Sequence, residues 1–173
     1  MSRDYLLDTS IISWFGRLKS GMKCPECKAL AQNLEDRKSA KIFLCPIPIG
    51  ESQRGILLAP KGKVIADINS IIDSFSGVIS IDGQTAKECY AELYARLFKN
   101  YLLTNRKADP AGKLRVKDQI DTIATSEMGA QENDLWLAAV AMRYNLILVT
   151  NDGMRRIKAI CRDEIIFEDW LIP

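Results

Sequence analysis

The sequence predicts a single α/β domain with a mostly parallel central sheet and helices on both sides. Short apolar segments alternate along the chain with longer amphipathic ones, as strands alternate with helices in such a fold. Residues 146–149, LILV, are wholly apolar, which is typical of a strand buried on both faces of a parallel sheet. The chain has 173 residues, 47% of them hydrophobic and 27% charged, enough for one sizeable core. We therefore expect residues 1–173 to form one domain.

Histidine is absent from the sequence, and this narrows the chemistry available to it. A Ser-His-Asp triad, a Cys-His pair, an imidazole general base and a histidine-ligated metal site are all excluded. An enzyme made from this chain would use carboxylates, lysine, hydroxyls, thiols or a metal ion held by oxygen atoms. The net charge of +2 is only weakly informative about partners. The longest apolar run, residues 135–142, is too short to span a bilayer, so we expect a cytoplasmic protein with no membrane partner.

The first predicted strand, Tyr5–Leu7, ends at Asp8, and a helix follows it. Thr9 or Ser10 is the expected cap of this helix, because hydroxyl side chains accept hydrogen bonds from the first backbone N–H groups. In open α/β sheets, ligands bind outside the carboxyl ends of the strands. An acid in this position is therefore a candidate for a functional site.

The middle of the chain continues the alternation of strands and helices. A second strand over residues 41–45 is followed by the segment PIPIG, and a helix is predicted around Glu51 to Leu58. The remaining predicted elements are helices over residues 25–37, 63–75, 85–103, 116–125 and 154–160 and strands over 77–81 and 165–167. Residues 105–117 are polar and basic, and we interpret them as a loop.

The stretch 132–152, ENDLWLAAVAMRYNLILVTND, combines a helix, a turn and a strand. Its apolar residues recur at helical spacing, Asn133 is the expected cap, and Asp134 lies in the first turn. The strand that follows ends close to Asp152, as the first strand ends at Asp8. The helix start alone does not determine which edge of the sheet Asp134 reaches.

Four acids thus follow strands or begin helices: Asp8, Glu51, Asp134 and Asp152. Clustered carboxylates suit Mg²⁺ or Mn²⁺, because hard cations prefer oxygen ligands and relieve the repulsion between the acids. Phosphodiester hydrolysis uses such sites, since a metal ion activates water and offsets charge on the phosphate. For any one of these acids, an ordinary role in a cap or turn is the simpler interpretation.

The order and wording of the segments resemble the PIN domain, and in particular the VapC-type ribonuclease toxins of toxin–antitoxin pairs. The matching pieces are YLLDTSII, CPIPIGESQRGI, ENDLWLAAVAMRYNLILVTND and FEDWL, in the order of the family. The resemblance implies a three-layer α/β/α sandwich. It also implies an acidic quartet that binds one or two divalent cations, with Asp8, Glu51 and Asp134 at clear matches and Asp152 at the more variable fourth position.

The resemblance implies a Mg²⁺- or Mn²⁺-dependent endoribonuclease that acts as a toxin, forms a homodimer and is silenced by a cognate antitoxin protein. Hydroxyls next to the quartet are expected to orient carboxylates or water: Thr9, Ser10 and Thr150. The candidates for contacts to RNA phosphates are Arg54, Arg155 and Arg156, with a surface salt bridge as the alternative for Arg54. Two features depart from the family: the length of the basic stretch 105–117 and the sequence CPEC over residues 24–27.

Other interpretations remain open at this point. Cys24 and Cys27 have zinc-knuckle spacing, but zinc would need two more ligands from Cys45, Cys89, Cys161 or a carboxylate; a redox-sensitive or incidental pair is the alternative. A PIN-type nucleic-acid-binding or regulatory module without catalysis is the second functional hypothesis. A phosphatase with Asp8 as nucleophile is disfavoured, because such enzymes carry a second aspartate two residues on, where this chain has Ser10.

Overall fold

The computed structural model describes residues 4–60, 67–104, 123–161 and 163–172. In this part of the chain, five strands form one sheet in the order β3-β2-β1-β4-β5, and every neighbouring pair is parallel. The strands are β1 Tyr5–Leu7, β2 Ile42–Leu44, β3 Gly77–Val78, β4 Ile147–Val149 and β5 Phe167–Glu168. In the register of the sheet, Leu6 lies opposite Phe43 on one side and Leu148 on the other. The first strand is therefore central, as a strand that delivers a buried acid should be.

Helices connect the strands. The α-helices are α1 Thr9–Lys19, α2 Pro25–Asp36, α3 Pro46–Leu57, α4 Ile68–Ile72, α5 Ala91–Thr104, α6 Glu132–Tyr144 and α7 Arg155–Cys161. A π-helical segment, Thr85–Tyr90, leads directly into α5. The turn from α6 to β4 passes through Asn145, whose φ of 52° is left-handed, a conformation that asparagine tolerates better than most residues. This short turn sends the chain directly from the end of α6 into the centre of the sheet.

The sheet is covered on both faces, and each face has its own hydrophobic core. Leu6 and Leu148 pack with α5, α6 and α7, whereas the next residues along the same strands, Leu7 and Val149, pack with α1, α2 and α4. Successive side chains of a strand point to opposite faces, so wholly apolar strands are what two covered faces require. The structure confirms the three-layer α/β/α arrangement expected from the sequence.

Helix α3 differs from the prediction in a way that matters for the site. It begins at Pro46, directly after β2 and Cys45, whereas the sequence predicted a helix only from Glu51. The two prolines of PIPIG lie in the first turn of the helix. Backbone N–H groups there have no intrahelical acceptor, so proline, which lacks an N–H, removes no hydrogen bond. Glu51 consequently lies in the second turn of α3 and not at the start of a helix.

Two further predictions are corrected and two are outside the described residues. Within the described part of the helix predicted over residues 63–75, Asp67 is extended and its side chain accepts the Ser70 N–H as the cap of a helix that ends at Ile72. The third strand is limited to Gly77–Val78. The basic stretch 105–117 and most of the helix predicted over 116–125 lie outside the described residues. Within the described ranges, no helix has the length and hydropathy needed to cross a membrane.

Candidate functional site

Asp8 lies directly after β1, and its side chain is only 3% exposed. Its Oδ1 accepts the Thr9 N–H at 2.6 Å and so caps α1. Its Oδ2 accepts hydrogen bonds from the Thr150 hydroxyl at 2.7 Å and the Ser10 hydroxyl at 3.1 Å. Burial raises the pKa of Asp8 and the charge of Asp152 adds to this effect, while the three hydrogen bonds oppose it. The carboxylate is therefore buried but fixed in orientation by three donors.

Glu51 is held beside the start of α1 by two hydrogen bonds. The Thr9 hydroxyl donates to Oε2 of Glu51, and the side-chain amide of Asn133 donates to Oε1. Thr9 and Asn133 are 42 and 82 positions away in the sequence, respectively. Both carboxylate oxygens of this half-buried residue are thus oriented by groups from other helices.

Asp134 lies in the first turn of α6 and is half-buried. Its pKa is raised to about 6, first by burial and then by the charges of Asp8, Asp152 and Glu51. Mutual repulsion of this kind requires that the carboxylates share one region of the molecule. We call this region, formed by Asp8, Glu51, Asp134 and Asp152, the acidic edge.

Asp152 is exposed in the loop after β4. Its backbone N–H donates to the Thr150 hydroxyl oxygen at 3.0 Å. Because the same hydroxyl donates to Asp8, Thr150 connects the loop of Asp152 to the end of β1. Thr150 is itself 2% exposed, so this connection is shielded from water.

The negative charge of the acidic edge has no basic partner among the described residues. The ion pairs in this part of the chain lie elsewhere: Arg37–Glu168, Lys38–Glu35, Arg96–Glu92 and Arg96–Glu164. The Cys45 thiol nearby has its pKa raised to about 11, by burial and by the charges of Asp8 and Glu51, so it stays protonated at neutral pH. The donor set is consequently one of oxygen atoms with uncompensated charge, which in chemical terms fits a hard divalent cation.

These carboxylates are of the right chemical type for a divalent cation, but they are not grouped closely enough to share one. Within residues 4–60, 67–104, 123–161 and 163–172, no three Asp, Glu or Cys side chains are grouped closely enough to hold one metal ion. The carboxylates interact through their charges, while Glu51 is turned towards Thr9 and Asn133. A shared cation would require these side chains to move closer together.

The three arginines predicted to contact phosphate are placed differently from one another. Arg54 is exposed one turn after Glu51, and both line a shallow depression of about 240 Å³ together with Asn133. Arg155 and Arg156 are exposed at the start of α7, just after the loop of Asp152. Among the described residues, none of the three has an ion-pair partner. The salt bridge considered for Arg54 is therefore not formed there.

Two capping predictions were wrong, and both errors concern the site. Thr9 and Ser10 do not cap α1; the cap is Asp8, and their hydroxyls bind Glu51 and Asp8 instead. Asn133 does not cap α6, which begins after Gln131 without a side-chain cap. The contact of Asn133 with Glu51 could not be predicted from the sequence, because nothing in the local pattern distinguishes a capping asparagine from one that reaches another helix.

The fold and the acidic edge together define an α/β/α domain with carboxylates at the carboxyl ends of parallel strands. The family model of the PIN domain matches residues 5–161, and the chain belongs to this family. No curated protein matches the sequence.

Three solved structures with the same fold are similar to this chain. One is VapBC2 from Rickettsia felis bound to a promoter DNA fragment (23% identity, TM-score 0.59, 96% of this chain and 98% of that chain). Another is DNA-bound VapBC from Salmonella typhimurium (16%, 0.59, 98% and 99%). A third is FitAB bound to an IR36 DNA fragment (20%, 0.58, 98% and 96%). At these identities the likeness concerns the fold.

The raised pKa of Asp134 predicts a pH-dependent cost in stability. An acid with a higher pKa in the folded than in the unfolded protein holds its proton longer when folded. Stability then falls as the pH rises from about 4 to about 6, the interval between the ordinary value and the raised one. With a chelator present, Asp134→Asn should therefore unfold a few degrees above the wild type at neutral pH, with no difference near pH 4.

Asp73→Asn, a change of an exposed acid at the end of α4, is the matched control and should show no such pH-dependent difference. Thermal unfolding followed by circular dichroism measures all three proteins. Equal pH profiles for the wild type and Asp134→Asn would contradict the repulsion.

Proposed function

We propose that this protein is a divalent-metal-dependent endoribonuclease that hydrolyses RNA phosphodiester bonds and acts as the toxin of a toxin–antitoxin pair. The observation that carries the proposal is the acidic edge, where burial and the charges of Asp8, Asp152 and Glu51 raise the pKa of Asp134. Membership of the PIN-domain family supports a nuclease. A domain that only needed to fold would gain nothing from placing four acids where they repel one another.

The proposed ligands of Mg²⁺ or Mn²⁺ are the four carboxylates of the acidic edge. When bound, such a cation would activate the attacking water and offset charge on the scissile phosphate. Asp8 would serve as the fixed ligand, since Thr9, Ser10 and Thr150 already orient it. Thr9 and Asn133 would orient the Glu51 carboxylate, because residues that hydrogen-bond to a metal ligand commonly fix its orientation.

Asp152 is exposed and Asp134 is half-buried, so the substrate would approach the metal site from the side of these two acids. Contacts to the RNA backbone are proposed for the exposed side chains of Arg54, Arg155 and Arg156. Arg54 follows Glu51 on α3, and the other two begin α7, just after the loop of Asp152. Basic side chains around an acidic pocket would hold phosphates next to the metal site without neutralising the ligands themselves.

A partner protein is part of the proposal. The similar VapBC and FitAB structures are complexes, which supports a cognate antitoxin for this chain. We also propose that the protein forms a homodimer, as expected from the resemblance of the sequence. A nuclease toxic to its own cell would have to be held inactive there, which is the role proposed for the antitoxin.

The second candidate function is a PIN-type nucleic-acid-binding or regulatory module without catalysis. The loose spacing of the donors is the observation in its favour. Against it is the charge of the acidic edge, because a surface that only binds phosphate would be weakened by four carboxylates that have no ion pair among the described residues.

Metal-dependent RNA cleavage distinguishes the two functions. The protein should cleave single-stranded or structured RNA with Mn²⁺ or Mg²⁺, and EDTA should abolish cleavage. Asp8→Asn and Asp134→Asn should each lower the cleavage rate at least about a hundredfold, because losing a metal ligand should slow cleavage more than losing a residue that only orients a ligand. Asp73→Asn should cleave like the wild type. Fragment analysis on sequencing gels measures the rates.

Equal cleavage by all four proteins would identify a contaminating nuclease and remove support for catalysis. Failure of the folded wild type to cleave any RNA, with no binding of Mn²⁺ in calorimetry, would favour the binding module.

Asn133→Ala should weaken metal binding through Glu51. Without the amide donor, the Glu51 carboxylate loses one of its two orienting hydrogen bonds. We expect Mn²⁺ affinity to fall by about 10- to 100-fold in titration calorimetry, a measurement that does not depend on catalysis. Asn69→Ala, on an exposed position of α4, should leave the affinity unchanged. Unchanged affinity in Asn133→Ala would show that this contact does not position a metal ligand.

Expression of the wild-type protein alone in a bacterial host should arrest growth, because RNA cleavage would proceed without an antitoxin. Asp8→Asn should accumulate to the same level without arrest. The measurement is colony formation after induction, with protein levels compared by immunoblot. Normal growth with wild-type protein that cleaves RNA after purification would contradict the toxin role but not the nuclease activity.

A further inference from the structure

The sequence CPEC over residues 24–27 is not used by the acidic edge. Cys24 is the N-cap of α2, Pro25 occupies the first turn, and Cys27 follows three residues after the cap. Proline at this position has the backbone angle that a helix start requires, so it holds both cysteines at the beginning of the helix. The arrangement is a pair of thiols presented at one helix end.

The two sulfur atoms are in direct contact. Cys24 Sγ and Cys27 Sγ are 2.8 Å apart, and the backbone N–H of Cys27 donates to Cys24 Sγ at 3.2 Å. A disulfide bond is about 2.05 Å long, so less than about 1 Å of movement separates the two thiols from a bond. The pair is therefore preorganised for oxidation by the helix that carries it.

The two cysteines differ in their access to solvent. Cys24 is partly exposed, whereas Cys27 is 1% exposed and Cys45, Cys89 and Cys161 are also buried. Burial and the neighbouring Cys24 thiol raise the pKa of Cys27. A reagent from solvent would thus meet Cys24 first, with Cys27 behind it.

Zinc is a weaker explanation of the same pair. Structural zinc sites have four ligands, and two cysteines supply only half of them. Among the described residues, no third Cys, Asp or Glu joins Cys24 and Cys27 in a group that could hold a metal ion. The pair is complete for a disulfide and incomplete for zinc.

We propose that Cys24 and Cys27 form a thiol–disulfide exchange site that reacts with low-molecular-weight disulfides such as glutathione disulfide. The inference does not depend on the proposed nuclease function. The exposed Cys24 is the attacking thiol and the buried Cys27 is the resolving thiol.

The exchange takes place in two steps. The Cys24 sulfur, having given up its proton, bonds to one sulfur of glutathione disulfide, and the other glutathione leaves and takes up that proton. The Cys27 sulfur then bonds to the Cys24 sulfur, and the second glutathione leaves with the Cys27 proton. Two protein thiols are oxidised to one disulfide, and glutathione disulfide is reduced to two glutathione molecules.

The test uses the reduced full chain incubated with mixtures of glutathione and glutathione disulfide, quenched with acid and alkylated. Because Lys23 and Lys28 flank the pair, trypsin releases both cysteines in one peptide, residues 24–28. Mass spectrometry should show this peptide two hydrogen atoms lighter than its dithiol form and without any alkyl group. Under the same conditions, the peptides of Cys45, Cys89 and Cys161 should stay fully alkylated after unfolding.

Single variants identify the order of attack. Cys27→Ser should stop at the first step and carry one glutathione on Cys24, whereas Cys24→Ser should carry none on Cys27. Cys27→Ala is a second variant of the buried position, and circular dichroism checks that each protein is folded. The proposal would be overturned if the 24–28 peptide stayed reduced at every ratio. It would equally be overturned by five cysteines reacting alike, or by glutathione on Cys27 in Cys24→Ser.

Discussion

The buried carboxylate of Asp8 is the interaction on which the rest of the site depends. It caps α1 and accepts hydrogen bonds from the hydroxyls of Ser10 and Thr150. The Thr150 hydroxyl oxygen in turn accepts the backbone N–H of Asp152. Removing a charge from water is costly unless hydrogen bonds replace the lost solvation, and three donors do so here. One side chain thereby joins two central strands, the first helix and the loop of another acid. The position of the acidic edge follows from this arrangement.

The acidic edge also has a cost in stability. The charges that raise the pKa of Asp134 have no basic partner among the described residues, so they oppose folding until something positive binds. The two covered faces of the sheet offset this cost, because each buries a separate set of apolar side chains. Stability is supplied by the layers, and the proposed chemistry lies at the edge where the strands end.

The local patterns predicted most elements but not their ends. The apolar runs of β1 and β4 were identified correctly, since a strand buried on both faces needs no polar positions. The starts of α1, α3 and α6 were wrong because Ser, Thr, Asn and Pro have several uses at a helix start. The hydroxyls and the amide expected at the caps serve the carboxylates instead. Which use a residue takes depends on the groups that folding brings near it.

The sequence by itself determined the layered α/β architecture, the exclusion of histidine chemistry and the acids that follow β1 and β4. The resemblance to the PIN domain had already named Glu51 and Asp134 as their companions. Only the tertiary structure decided which groups orient Glu51, and that burial and the neighbouring acids raise the pKa of Asp134. Asp8 and Thr150 are 142 positions apart, and their contact exists because β1 pairs with β4 in the centre of the sheet. Strand order is set by the packing of whole layers, which no local periodicity encodes. The same reasoning applies to Asn133, whose partner is on a helix 82 positions away.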